Sequence, residues 1–138
     1  MQFRKDAKIQ LIAKVPLLSN CSKSELGRIA SLADLVEFRE GDTLMREGRH
    51  GAEFFIVVKG TARVTKGGRK LADLGAGGFA GEIALLADVK RTATVVATSP
   101  LQTLVLTRPG FSNLMRDVPS IGIKVLAEVG RRLAPTTI

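Results

Sequence analysis

Cysteine, histidine, tyrosine and tryptophan are nearly missing from this chain, which has one cysteine, one histidine and neither tyrosine nor tryptophan among 138 residues. The single cysteine, Cys21, excludes an internal disulfide and any cysteine-rich metal site. His50 lies in a glycine-bounded turn without a predictable partner, so neither a nucleophile–base pair nor a zinc ligand set is indicated. We therefore expect a protein that is not an enzyme and that needs no metal and no cofactor.

Long apolar runs are also missing. The longest purely apolar segments have about five residues, as at 54–58, and Lys14 and Pro16 interrupt the apolar start of the chain. This pattern predicts neither a signal peptide nor a membrane span. A reducing, cytoplasmic location is compatible with the single cysteine and is the expected one.

Acidic residues are outnumbered, 13 against 21 basic ones, and the formal net charge is +8. Residues 1–14 carry four basic residues and one acidic residue, and residues 108–138 carry five and two, so most of the excess lies at the two ends. Basic ends can attract nucleic acid or another anionic partner. Because aromatic residues do not alternate with the basic ones, base stacking is poorly supported, and nucleic-acid binding is kept only as a third hypothesis.

The remaining pattern predicts one domain that combines helices with short strands. Ser22 and Glu25 form a capping box before a helix expected over about 23–33. Glycines then divide the chain into β-rich segments at 53–59, 61–66, 70–74 and 101–106, as in an antiparallel sandwich or barrel. A short helix is expected over 109–115, and Pro119 is expected to open a last helix. The apolar stripe of that last helix consists of Ile121, Val125, Val129 and Leu133.

Residues 78–97, with the sequence GFAGEIALLADVKRTATVVA, carry the most specific chemistry. Glycines before Glu82 let the backbone approach a ligand closely, and the helix formers over 82–87 predict a helix start that attracts an anion. Arg91 opens a β-branched segment predicted as the next strand, and its guanidinium can hold two phosphate oxygens. Glu82 would repel a phosphate, so it should face a donor such as a ribose hydroxyl. Together the two charges could recognise a sugar phosphate from both ends.

Two other interpretations of this segment compete with that one. Glu82 and Arg91 could be two solvated surface charges. Residues 75–80 also fit the G-x-G-x-x-G/A dinucleotide fingerprint. That fingerprint requires a strand, a turn and a helix, with an acidic residue about twenty positions further on, and neither the acidic residue nor an ordinary crossover helix is present. We therefore take the dinucleotide match as coincidental.

The same segment resembles the phosphate-binding cassette of cyclic-nucleotide-binding domains, whose pattern is Gly-Glu-x-Ala-Leu, a short spacer, and Arg-x-Ala. The matching residues are Gly81, Glu82, Ala84, Leu85, Arg91 and Ala93. The resemblance covers about residues 15–133 and implies an α+β fold. In that fold an antiparallel, jelly-roll-like β-roll of about eight short strands is flanked by N-terminal and C-terminal helices. One departure is Ala80, which replaces the usual second aromatic of the loop, next to Phe79.

The resemblance also implies a role for each residue of the cassette. Glu82 would accept a hydrogen bond from the ribose 2′-hydroxyl, Arg91 would bind the cyclic phosphate, and backbone N–H groups near Ala84 and Thr92 would assist. The implied ligand-binding residues are Gly81, Glu82, Ile83, Ala84, Arg91, Thr92 and Ala93. Kinase relatives that prefer cAMP tend to have alanine where Thr92 stands, and those that prefer cGMP have threonine or serine. Because bacterial and channel relatives with threonine also take cAMP, the base stays open, with cAMP slightly favoured.

The leading hypothesis is a single-domain sensor of cAMP or cGMP that spans residues 1–138. Its expected parts are N-terminal helices over 1–33, the β-roll over 34–106 with the cassette at 78–97, and hinge and lid helices over 107–138. The C-terminal helices would signal to a protein partner or to a second copy, and no DNA-binding domain is expected in this chain. The alternative is a degenerate β-roll that serves as an interaction scaffold and no longer binds nucleotide.

Overall fold

The computed structural model describes residues 2–83 and 89–133, which form helices at both ends of the chain and eight strands between them. Helix α1, a 3₁₀ turn and helix α2 precede the strands at Gln2–Ala13, Pro16–Leu18 and Lys23–Leu32. The strands are β1 (Asp34–Phe38), β2 (Thr43–Met45), β3 (Phe54–Lys59), β4 (Ala62–Lys66), β5 (Arg69–Leu74), β6 (Phe79–Ala80), β7 (Thr94–Ala97) and β8 (Leu101–Leu106). Helices α3 and α4 follow at Arg108–Asp117 and Pro119–Leu133.

The strands form two four-stranded antiparallel sheets, in the orders β1-β8-β3-β6 and β2-β7-β4-β5. The predicted α+β class, with an antiparallel β-roll between terminal helices, is confirmed. Strand β6 ends the first sheet and β7 lies inside the second. Residues 81–93 therefore connect one sheet to the other, and this connection contains Glu82 and Arg91, the two charges of the predicted cassette.

Two hydrophobic clusters hold these layers together. The first joins the helices to the sheet that contains β3 and β8, and three of its rings pack closely, with Phe54 lying 5.5 Å from Phe79 and 4.9 Å from Phe111 between centroids. The second fills the space between the two sheets with residues such as Phe55 and Val95. Strand β3 contributes to both clusters, which is why residues 54–57 are buried without alternation.

The ends of the helices follow the sequence signals. The Ser22 hydroxyl accepts a hydrogen bond from the Glu25 N–H at 3.1 Å, and the Glu25 carboxylate accepts one from the Ser22 N–H at 2.8 Å, which completes the predicted capping box. Pro119 occupies the first position of α4, where its missing N–H costs nothing. The α4 stripe buries Ile121 and Val125 and packs Val129 against the first cluster. The side chain of Leu133 lies outside the described residues.

Some predicted boundaries were wrong. The strand expected to open at Arg91 begins at Thr94, because the Arg91 N–H donates to the Arg49 carbonyl at 2.8 Å and its own carbonyl accepts from the Gly48 N–H at 2.9 Å. Those bonds go to a loop and not to a neighbouring strand. The helix expected over 109–115 extends over Arg108–Asp117, capped by the Thr107 hydroxyl. Of the helix expected over 82–87, only residues 82 and 83 lie within the described part, and both are helical.

Candidate functional site

The loop at the start of the cassette brings its backbone close to the start of β3. Gly81 has φ +99°, a conformation that favours glycine, and a Cβ added there would lie 2.5 Å from the Glu53 carbonyl oxygen and 3.0 Å from Arg91 Nη1. A side chain at this position would therefore collide with the groups that hold Arg91. The glycine is required by this close approach as well as by its backbone angle.

Arg91 is buried, with 4% of its surface exposed, although it carries a full charge. Its Nη2 donates to the Glu53 carbonyl at 2.9 Å, and its Nη1 donates to the Gly81 carbonyl at 3.4 Å. Gly51 lies against the guanidinium so closely that a Cβ there would be 2.4 Å from Nε. Within the described residues these partners are neutral carbonyl groups, and no ion pair to Arg91 is present.

Burial lowers the pKa of the Arg91 guanidinium, while the nearby carboxylates of Glu53 and Glu82 act in the opposite direction. An arginine keeps its proton in proteins even so. Arg91 is therefore a fixed buried cation whose carbonyl partners orient it without neutralising it. Such a group is suited to bind an anion.

A surface cavity of about 330 Å³ adjoins Arg91 on the side of β2 and the loop that follows it. Its lining comprises Thr43, Leu44, Met45, Arg46, Arg49, His50, Gly51, Glu53 and Arg91. This volume is at the lower end of the range for small-molecule sites. His50 is exposed at its rim. Glu82 does not line this cavity.

Glu82 is the second buried charge of the cassette, with 2% of its surface exposed. Its Oε1 accepts a hydrogen bond from Arg132 Nη1 at 2.7 Å. Its Oε2 is buried and has no hydrogen-bond partner among the described residues. Glu82 therefore faces a donor, as expected, and that donor is Arg132 of the same chain. The second carboxylate oxygen has no donor among the described residues.

Arg132 reaches the cassette from the last turn of α4 and makes three further contacts, two with Phe79 of the cassette and one with Glu128 of its own helix. Its Nη2 donates to the Phe79 carbonyl at 2.6 Å, its guanidinium carbon lies 4.7 Å from the centre of the Phe79 ring, and its Nε donates to Glu128 at 3.2 Å. Burial raises the pKa of Glu128, but the hydrogen bonds and positive charges of Arg131 and Arg132 together hold that pKa below its usual value. Sequence reasoning missed Arg132 because fifty positions separate it from Glu82.

The other predicted ligand-binding residues are distributed around these charges. Ala93 is buried, Ile83 is half-buried and Thr92 is exposed. Ala84 and Leu85 lie outside the described residues. The structure brings Gly81 into contact range of Arg91, and it buries both Glu82 and Arg91, so the interpretation of the two charges as solvated surface groups is wrong.

The described ranges contain neither a metal-ligating cluster nor a helix that could span a membrane. No group of three or more histidine, cysteine, aspartate or glutamate side chains in residues 2–83 and 89–133 could hold a metal ion. None of the described helices has the length and apolarity needed to cross a membrane.

Comparison with known proteins yields a family match and several relatives. A family model described as a cyclic nucleotide-binding domain matches residues 35–118. The chain is 33% identical over 134 residues to isozyme 1 of the cGMP-dependent protein kinase of Drosophila melanogaster, covering 91% of this chain and 17% of the kinase. It is 32% identical over 110 residues to the cAMP-dependent protein kinase regulatory subunit of Hypocrea atroviridis, covering 80% of this chain and 24% of that subunit.

A solved structure with the same fold is the regulatory subunit of a cAMP-independent protein kinase A from Trypanosoma brucei. It superposes with a TM-score of 0.80 at 25% identity and covers 94% of this chain and 48% of that one. The chain therefore spans less than a quarter of the two curated relatives' length and about half of this structure.

Proposed function

The chain belongs to the cyclic nucleotide-binding domain family, and we propose that it binds cAMP or cGMP as a regulatory module, between Glu82 and Arg91. The observation that carries this proposal is the pair of buried opposite charges in one cassette. Arg91 would bind the cyclic phosphate and Glu82 would accept a ribose hydroxyl. Relatives described as cAMP-dependent and as cGMP-dependent are about equally similar to this chain, so the base stays open.

Burial of Arg91 and Glu82 is energetically unfavourable unless each charge finds a partner. Among the described residues Arg91 forms no ion pair, although the transfer of a charge out of water is unfavourable. Two carbonyl oxygens hold the Arg91 guanidinium in place, and the Gly81 and Gly51 contacts leave it little freedom. A phosphate would bring a negative charge into direct contact with Arg91 and could accept two hydrogen bonds from one guanidinium. The two glycines leave the space that the Arg91 guanidinium occupies, since a Cβ at either position would lie within 3.0 Å of it.

The proposed output is conformational and not catalytic. Helix α4 touches the cassette through Arg132 and packs on the first hydrophobic cluster through Ile121 and Val125. A ligand that binds one arrangement of α4 better than another would shift the population of that helix. A protein partner or a second copy would sense the shift. The domain division expected from the sequence, with the C-terminal helices as the hinge and lid, is part of this proposal.

Ligand-dependent thermal unfolding tests the proposal. A ligand at a hundred times its dissociation constant stabilises a protein by about 2.7 kcal/mol, so millimolar cAMP or cGMP should raise the Tm of the wild-type chain clearly. Arg91→Ala should abolish most of the rise, because loss of one member of a desolvated charged contact costs about 2–5 kcal/mol.

Arg63→Ala is the matched control, since Arg63 is an exposed arginine of β4 that pairs with Asp73. The nucleotide-free Tm of each variant separates lost binding from lost folding, and Arg91→Lys provides a second, less disruptive change. Equal nucleotide-induced shifts for Arg91→Ala and Arg63→Ala would refute the role of Arg91.

A scaffold that no longer binds nucleotide is the second candidate function. Two observations favour it: Arg132 already donates to Glu82, and a relative with the same fold is described as cAMP-independent. A pull-down of the same partner with and without nucleotide separates the candidates. If the chain is a scaffold, the same amount of partner should be recovered with and without nucleotide.

A further inference from the structure

The cavity beside β2 lies outside the proposed nucleotide site, although Arg91 borders both. Its volume is about 330 Å³, and Glu82, the proposed ribose acceptor, does not line it. Three arginines line it, Arg46, Arg49 and Arg91, against the single carboxylate of Glu53, so the lining has an excess of two positive charges. Clefts lined by charges of one sign concentrate their field and attract ligands of the opposite sign. This cavity should therefore attract anions.

The two exposed arginines of the cavity have no partner inside the described chain. Neither the Arg46 nor the Arg49 guanidinium forms an ion pair or a hydrogen bond with any residue in 2–83 or 89–133. Exposed arginines elsewhere do form ion pairs, among them Arg28, Arg63, Arg116 and Arg131. The donors of Arg46 and Arg49 are therefore available to a ligand.

Backbone hydrogen bonds hold the three arginines of the cavity next to one another. The Arg49 N–H donates to the Arg46 carbonyl at 3.1 Å, which closes a turn through Gly48 at φ +84°. The Gly48 N–H donates to the Arg91 carbonyl at 2.9 Å, and the Arg91 N–H donates to the Arg49 carbonyl at 2.8 Å. Because the loop is already fixed, less backbone order has to be gained when an anion binds.

The size and lining of the cavity favour linked phosphates over a single phosphate or an apolar ligand. Its volume is in the range of sites for small organic molecules, which leaves room for more than one phosphate group. Leu44 and Met45 are the two large apolar side chains of the lining, and charged side chains dominate the rest. Each guanidinium can bind two phosphate oxygens, so the arginines can hold neighbouring phosphate groups at the same time.

We propose that this cavity is a second anion site, which binds a small molecule with two or three linked phosphates. Inorganic pyrophosphate, inorganic tripolyphosphate and the phosphate tail of a nucleoside triphosphate share this chemistry. Arg46 and Arg49 would hold phosphate oxygens at the mouth of the cavity, and the fixed charge of Arg91 would attract the anion from its wall. The inference goes beyond the proposed function and does not depend on it, because its test uses no cyclic nucleotide.

The test is calorimetric titration of four forms of the full chain with phosphate compounds. The ligands are orthophosphate, pyrophosphate, tripolyphosphate and ATP at matched ionic strength, in about 150 mM salt, where the Debye length of about 8 Å limits attraction to the net charge. The proteins are the wild type, the double variant Arg46→Ala with Arg49→Ala, Arg49→Lys, and Arg39→Ala. Arg39 is the matched control, because it is an exposed arginine between β1 and β2 that does not line the cavity.

We expect tripolyphosphate to bind the wild type at least about tenfold more tightly than orthophosphate, because more charged hydrogen bonds can form. The double variant should lose about tenfold or more of that affinity, whereas Arg39→Ala should stay within about twofold of the wild type. Arg49→Lys should lose less than the double variant, since lysine keeps the charge but not the two-pronged donor.

The ATP titration distinguishes the two sources of linked phosphates. ATP that binds more tightly than tripolyphosphate, with the same loss in the double variant, supports a nucleoside triphosphate as the ligand. Tripolyphosphate that binds as tightly as ATP or more tightly supports an inorganic ligand. The ligand-free Tm of the double variant should match that of the wild type, because Arg46 and Arg49 are exposed and have no partner among the described residues.

Three results would overturn the inference. No binding of pyrophosphate or tripolyphosphate to the wild type at millimolar concentration would show that the cavity is not an anion site. Equal affinities for the double variant and Arg39→Ala would show that the anion follows the net charge of the chain and not this cavity. Orthophosphate that binds as tightly as tripolyphosphate would rule out linked phosphates as the ligand class.

Discussion

Replacement of Gly51 by alanine adds one methyl group, which would lie against the guanidinium of Arg91. Gly51 does not have a positive φ, so its backbone conformation is open to alanine. The added Cβ would lie 2.4 Å from Arg91 Nε, 2.7 Å from Nη2 and 2.8 Å from Cζ. These separations are far below van der Waals contact, so the guanidinium must move. The change therefore displaces Arg91 without removing its charge.

The structure sets the expected size of the effect. Movement of the guanidinium strains or breaks its bonds to the Glu53 and Gly81 carbonyls, and a hydrogen bond to a charged group contributes about 1.5–3 kcal/mol. Insertion of a methyl group into a packed site generally costs about 1–3 kcal/mol. Because part of the strain is relieved as the flexible arginine swings, we expect a loss of about 1–3 kcal/mol in the free energy of unfolding.

Nucleotide affinity should also fall in Gly51→Ala, by more than the loss of folding stability would cause by itself. A guanidinium moved by about 1 Å no longer meets a phosphate in good geometry, and misplacements of that size can cost about a hundredfold. We expect a loss of affinity of at least about tenfold, or 1.4 kcal/mol. The assay combines urea unfolding with calorimetric titration of the folded protein.

Gly75→Ala is the control, since Gly75 lies in the glycine-rich loop without a positive φ and a Cβ there would meet no atom within 4 Å. Equal stability and equal affinity for the two variants would refute the described position of Arg91. A loss of stability with unchanged affinity would support that position and refute the proposed role of Arg91 in binding.

Three further predictions concern the fold. Ser22→Ala removes the capping hydroxyl of α2 and should lower the free energy of unfolding by about 1 kcal/mol in urea denaturation. Ile121→Ala should cost about 2–5 kcal/mol, whereas Ile123→Ala on the same helix should change stability by no more than about 0.5 kcal/mol, because Ile121 is fully buried and Ile123 is 68% exposed. Hydrogen bonds from Arg28 and Arg116 hold the pKa of Asp117 below its usual value. Its contribution to stability is thus present above its unfolded pKa and declines as the pH falls through the folded one, so Asp117→Asn should make the Tm less sensitive to acid below about pH 4.

Local sequence patterns predicted the fold well because they act over short distances. Each signal lies within a few residues of the element that it specifies. These signals are the capping box of Ser22 and Glu25, the proline at the start of α4, and the glycines that bound the strand segments. The predicted start of β7 was wrong because the backbone of Arg91 pairs with residues that are distant in the sequence. Arg91 has good strand neighbours, but its backbone bonds to residues 48 and 49, and a pairing across more than forty positions leaves no local pattern.

The two charged residues of the candidate site could be predicted from the sequence, whereas the residues that contact them could not. Glu82 and Arg91 could be singled out from the glycine-bounded segment and its family resemblance, and both are buried in the structure. The residues that hold them could not, because Gly51, Glu53 and Arg132 come from other elements that only the fold brings together. The roles of Gly81, Ile83, Ala84, Thr92 and Ala93 in ligand binding stay predictions.

Calorimetric titration of the wild-type chain with cAMP and with cGMP tests the central claim most directly. The proposal predicts saturable heat at about one nucleotide per chain for at least one of the two ligands, and loss of most of that affinity in Arg91→Ala, by about thirtyfold or more. The absence of heat and of any thermal shift with both nucleotides at millimolar concentration would contradict nucleotide binding and leave the β-roll scaffold as the better account.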